Sequence, residues 1–511
     1  MKQTLAIAIA TALGAVSSSS VAVMLNPRGT GQVLIYPYYT VNHQQTLVSV
    51  INTTRHGKAL KFRFREGYDG RDVANFNVYL GPYDSWVGAV FDTSSDGTGA
   101  AAVATNDNSC TVPEFPLAPV PGTLHALTFS NGNYSQGDYG TPTGTDSGPT
   151  NLARTREGFF EIVEMGQVVD QATNSPKTLE AITPVKGIPP GCAQVRNAWA
   201  NSGYWMTDAT TDLSPPAGGI YGAAGIVDVA HGTLYAFNAT AIDGFSDVIQ
   251  HTGPGNAKPN LRTAVTDSPH DIATAYVPIG NAMIKADYPA STRGVDAVSA
   301  VLMADKLYNE FDVETSLGAA SDWLITLPTK QYYVDPAIVG IASESFLPPF
   351  QQVFGGSFFG GSEPDPGYSC FEVDLRAKVD RDGRGQAEFD APPPTFLCGY
   401  ETQVLSFGHA KDETQTFVSN VLQSSLGGTL AVLDGTPPID SGHFSLKFLS
   451  LGLRPSAAGD SFAGQPAIGF LAVNYINANV TPGVLSNYSA AYPHRSHASC
   501  TNSTTPQSAC Q

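Results

Sequence analysis

Two glutamates three residues apart, Glu161 and Glu164, are the residue types of a glycosidase acid and base. That chemistry needs both carboxylates to face one sugar, about 5–9.5 Å apart. Odd spacing on a strand sends them to opposite faces, so the pair reads first as two structural carboxylates. Gly459-Asp460-Ser461-Phe462 resembles a hydrolase serine fragment. It falls late in the chain, and the Gly-x-Ser-x-Gly elbow that strains a serine outward does not occur, so Ser461 reads as a loop serine. His494 and His497 are three apart in an irregular stretch, which reads as a surface pair rather than a zinc site. Asp380-Arg381-Asp382-Gly383 opens like a calcium loop, but Arg384 stands at the next ligand position. A hairpin turn explains it better. Asp69, Asp72, Asp92 and Asp96 sit in turn-rich stretches and are the one Ca²⁺ alternative to an expectation of no cofactor.

Aromatic residues give a broader signal. Tyr36, Tyr38 and Tyr39 cluster, as do Trp199, Tyr204 and Trp205. Such groups stack on sugars or protein partners when exposed and fill cores when not, so these six are the candidate contacts for a surface glycan or protein.

The chain that must position these groups has 511 residues and a net charge of −18, from 45 acidic and 27 basic side chains. That balance lacks the basic footprint of a nucleic-acid binder. Charged residues are only 14 %, while Gly (51) and Pro (36) are frequent, which favours short strands and turns over long helices. Lys2 followed by the apolar residues 5–16 and the small residues Ser20 and Ala22 has the form of a signal peptide cut after Ala22. No later stretch reaches the ~18 apolar residues of a transmembrane helix. Cys110, Cys192, Cys370, Cys398, Cys500 and Cys510 make an even set without a C-x-x-C, which suits disulfides in an exported protein. Fifteen pairings are open; nearness along the chain favours Cys370–Cys398 and Cys500–Cys510, leaving Cys110–Cys192.

Strand signals begin at residues 33–36, where Pro37 suggests a strand end or sheet edge. Residues 46–51 form a second strand. In the third, Leu60, Phe62 and Phe64 alternate with Lys61, Arg63 and Arg65, which predicts one buried and one wet face. Residues 75–80 and 85–91 complete five short strands. The order resembles an immunoglobulin-like domain, without its Cys…Trp…Cys signature. Further strands are expected at 158–165, within 218–243, and at 323–327, 371–379, 385–389, 444–453 and 469–475, with a helix over 296–308.

The fold class expected is therefore mainly β: immunoglobulin-like sandwich modules with long loop insertions and one or two short helices. The expected parts are a signal peptide (1–22), an N-terminal sandwich module (23–128), a loop-rich β insertion (129–300), a C-terminal β-rich module (301–495) and a polar tail (496–511).

Residues 33–42 (VLIYPYYTVN), 46–54 (TLVSVINTT), 321–330 (SDWLITLPTK) and 468–495 resemble a group of exported bacterial β-rich proteins of no known function. The resemblance reaches both ends and the middle of the chain. It implies export and one integrated architecture, and it transfers no site. The functional expectation is a non-enzymatic binding or structural protein of the periplasm, cell surface or extracellular matrix. A secreted hydrolase of polysaccharide or ester polymers, its site assembled from distant loops, is the alternative. Amino-terminal sequencing of secreted material should begin at Val23, and a mature protein that retains Lys2 overturns the export reading.

Overall fold

A computed structural model describes residues 21–511, apart from 95, 118–124, 136–147, 172–173, 340–345, 351–369, 387–394, 399, 410–416, 436–437, 450, 478–480, 482–483, 485, 503, 505–509 and 511. The first 20 residues of the expected signal peptide lie outside it. The protein is mainly β, and its antiparallel sheets stack in sandwich-like layers.

The first layer runs Met24–Leu25, Thr240–Asp243, Val33–Thr40, Glu157–Val168, Gly57–Glu66, Asp72–Leu80, Cys110–Val112, with Leu213–Ser214 added beside Glu157–Val168. The second runs Thr233–Asn238, Ile220–Asp228, Gln45–Asn52, Ser85–Asp92, Ala101–Thr105, His125–Thr128. Sheet pairing thus crosses residue 128: the Glu157–Val168 strand sits at the centre of the first layer. Between the layers lies an aromatic core. Phe62 stacks on Phe76 and meets Trp86 edge-on, each at 5.0 Å between ring centres, while Phe64 stacks on Phe160 at 4.6 Å.

Pro37 does not end its strand. Val33–Thr40 continues through it and is paired on both edges, with Thr240–Asp243 and Glu157–Val168. Proline lacks the N–H of a regular ladder, and the register slips between Gly158 and Phe160, opposite this stretch, so a bulge accommodates it. The expected helix over 296–308 is also shifted. The helix spans Ala290–Leu302, and Lys306–Asp312 is a strand held between Ser441–Phe448 and Arg495–His497. Sheet pairing, a long-range interaction, overrides the helical spacing of Leu307. Short helices are more numerous than expected, and Thr178–Ile182, Cys192–Ala198 and Tyr204–Thr207 cluster against the first layer.

The C-terminal half repeats the two-layer plan. One sheet is ordered Gly385–Gln386, Cys370–Asp380, Ser441–Phe448, Lys306–Asp312, Arg495–His497; the other is Gly427–Ala431, Thr402–Gly408, Ala319–Thr326, Ile468–Tyr475, Tyr488–Pro493. The turn at residues 381–384 is a hairpin. The halves share a core, since Leu324, Val404 and Phe470 pack with Phe62 and Trp86. Cys110 bonds Cys192 and Cys500 bonds Cys510. Cys370 pairs with Cys398 directly across the ladder, and their side chains lie outside the described residues.

Phe62 is fully buried between two aromatic neighbours, Phe76 and Trp86. Phe62→Ala is expected to lower stability by about 3–5 kcal/mol in a denaturant titration.

Candidate functional site

The cationic face of the Gly57–Glu66 strand is not wet. All ten residues of the strand are buried. Every one of those cations is met by a carboxylate or a carbonyl. Arg63 donates to both oxygens of Asp72, at 2.9 and 2.7 Å, and to Glu161 Oε1 at 2.7 Å. Arg65 donates to Gly70 O and to the Tyr332 hydroxyl, each at 2.8 Å. Lys58 reaches Glu164 at 2.6 Å from the opposite face. Glu161 and Glu164 therefore neutralise different cations on different faces of the sheet, and both carboxyls are held above their usual range by burial.

A strap covers the cationic face. Lys61, Asn77 and Asn75 donate side-chain hydrogen bonds to the carbonyls of Gly253, Thr252 and Asn256, at 2.7, 2.8 and 2.7 Å. Lys61 lies across from Asn77, and Arg63 across from Asn75, so neighbouring strands fasten the strap in register. Burial, with Arg63 nearby, pushes Lys61 down to about 7.

The strap starts at His251, among the predicted aromatics. Trp199 Nε1 donates to the Tyr79 hydroxyl at 2.9 Å, and Tyr79 lies 2.8 Å from His251 Nε2. His251 Nδ1 lies 2.8 Å from Ala209 O, so the neutral Nδ1–H tautomer satisfies both contacts. Trp205 stacks on Tyr79 at 5.1 Å and is buried, while Trp199 and Tyr204 are half-buried. The Cys110–Cys192 disulfide ties these helices to the sheet edge. Tyr36, Tyr38 and Tyr39 are all 0 % exposed. Their hydroxyls donate to Ser49 O, Glu157 Oε2 and Thr155 O, at 2.7, 2.8 and 3.0 Å. Gly222 is required here, because a Cβ would collide with the Tyr36 hydroxyl.

The other sequence candidates do not converge. Asp69, Asp72 and Asp92 pair with Arg154, Arg63 and Arg156 respectively, and Asp96 accepts from its neighbour Thr98. His494 is half-buried, lies 2.9 Å from Leu324 O and is pushed down to about 4 by desolvation of its ring. His497 faces outward beside Asp305. Ser461 donates to Leu453 O at 2.7 Å.

Two surfaces that sequence reading missed stand out. Where the strap meets the Gln331–Val334 helix there is a cavity of about 510 Å³, lined by Arg63, Lys258, Asn260, Arg262, Gln331 and Tyr332 among others. Its sequence trace is faint: two cations in a Pro/Gly/Asn-rich stretch of an acidic chain. The second is the outer face of the six-stranded sheet. Leu47, Val87, Tyr221 and Leu234 are 42–50 % exposed there. The outward positions of its strands, including Ser49, Ile51, Ala89, Ala223, Val227, Ala236 and Asn238, carry no charge. Alternation marks each of these strands as amphipathic, but only pairing shows that the outward residues adjoin.

Comparisons with protein-family models, curated proteins and solved structures find no match to this chain.

Burial pushes His251 down to about 3, so the folded protein keeps it neutral where the unfolded chain, with a pKa near 6.5, takes up a proton. The unfolded state binds more protons between those values, and stability from this residue falls as pH falls through that window. Relative to pH 7, the wild type is expected to lose about 2–3 kcal/mol through His251 at pH 4.5, at ~1.4 kcal/mol per unit. His251→Gln lacks that term, so its gap from the wild type in urea titrations should narrow at pH 4.5. A gap that stays constant rules out a neutral His251.

Proposed function

We propose that this is a non-enzymatic binding or structural protein that works outside the cytoplasm and assembles through the uncharged face of its six-stranded sheet. That face carries the reading. Apolar patches of this kind on water-exposed sheets mark interaction sites. The immunoglobulin-like comparison belongs to the same reading, as a rigid sandwich that presents a recognition surface on its outer face. The disulfides Cys110–Cys192 and Cys500–Cys510 support export. Among the described residues no helix is long and apolar enough to cross a membrane.

The occupant we assign is a second copy of the chain. Each copy has a net charge of −18, so acid-rich surfaces repel one another, and an uncharged face is where two copies can meet at least electrostatic cost. Four exposed strands ~4.8 Å apart and ~20 Å long give a flat footprint of about 400 Å² per partner. Two such footprints bury less than about 1,200 Å² in all, the size of a weak, concentration-dependent contact.

Sedimentation velocity should show a reversible dimer in the micromolar range, about the affinity expected of such a contact. Leu47→Asp and Val87→Lys, both at exposed positions, should be monomeric with unchanged melting temperatures. A wild type that stays monomeric up to ~100 μM overturns the assignment.

A further inference from the structure

We propose that the cavity beneath the strap binds a carboxylated saccharide of the hexuronate class. In a chain with 45 acidic against 27 basic residues, Arg63, Lys258 and Arg262 all line one cavity of about 510 Å³. The one carboxylate on its wall, Asp271, is engaged: both its oxygens accept from Ser291, at 2.7 Å each. Arg63 is committed to Asp72 and Glu161 and contributes only its field. Arg262 spends one N–H on Ile338 O, at 2.9 Å. Among the described residues neither Arg262 nor Lys258 has an ion pair, so both stand ready for an anion, and the planar guanidinium of Arg262 suits a carboxylate.

A second, independent observation is Gln331. Its side chain is 4 % exposed, and its Nε2 has no hydrogen-bond partner although it is buried at this cavity. An unmet buried donor is costly, and a ligand oxygen would satisfy it. Asn260, Thr263 and Gln331 add polar side chains to the wall, and of these the Gln331 amide is the one with an unmet donor. A fatty carboxylate would leave such groups against methylenes, whereas a sugar ring offers hydroxyls to them. Ala264, Val265 and the Tyr332 ring supply the apolar surface on which a sugar ring rests. The volume lies within the usual range of about 300–1,000 Å³ for small-ligand sites and holds one or two sugar rings. This inference is independent of self-assembly through the sheet face.

Isothermal titration calorimetry of the full mature chain with D-galacturonate, D-galactose and inorganic phosphate tests it. Galacturonate should bind, and galactose at least about tenfold more weakly, a difference of ~1.4 kcal/mol. Lys258→Gln, at an exposed position that supports no other group through its side chain, should weaken galacturonate severalfold without changing the melting temperature, and Arg262→Gln should weaken it as well. No galacturonate binding, equal binding of galactose, or phosphate bound as tightly as galacturonate would each overturn the proposal.

Discussion

The interaction on which the rest of this structure depends is the neutralisation of a buried row of cations. Lys58, Lys61, Arg63 and Arg65 lie on one strand at the middle of the first layer, and none is more than 4 % exposed. Isolated charges in such a place would cost several kcal/mol each. The neighbouring Glu157–Val168 strand supplies Glu161 and Glu164, the next strand supplies Asp72, and the strap supplies backbone carbonyls. Removing one partner of a buried pair leaves the other uncompensated, at a cost of about 3–5 kcal/mol. The register of the central strands is thereby fixed: a slip of one residue would carry each glutamate to the wrong face.

The same network joins the two halves. Arg65 reaches Tyr332, and Glu157 accepts from Ser424 and Ser425. Arg154 is held by Glu66 and Asp69. Near that seam Glu401 is fully buried, and burial raises its carboxyl while burial lowers the Lys330 ammonium. With its charges committed inward, the protein is left with a sheet face free of charge and a cavity whose spare cations are Lys258 and Arg262. Both functional proposals grow from that division of charge.

Much of the fold was legible in the sequence because strand pairing leaves a period-two record. The segments at 46–51, 75–80, 85–91 and 469–475 lie within observed strands, 323–327 overruns its strand by one residue, and Asp382-Gly383 marks a true hairpin turn. The Cys110–Cys192 and Cys500–Cys510 pairs follow from nearness along the chain and a remainder. The site was far less legible. Leu60, Phe62 and Phe64 declared their buried face correctly, but the opposite face was read as wet because charge normally means water.

What the sequence determined by itself is therefore local: which residues form strands, where turns fall, and which side of each strand is apolar. Composition added a mainly β class. Tertiary structure alone decided what lies over the charged side of the Gly57–Glu66 strand. Its cover comes from residues 251–263 and 331–334, nearly 200 and 270 positions away, and no local pattern encodes a contact at that distance. It also decided that Tyr36, Tyr38 and Tyr39 are core, since an aromatic residue on a strand looks the same in sequence whether another layer packs against it or solvent does. Burial depends on what the whole chain brings alongside, and that is a property of the assembled layers rather than of any one segment.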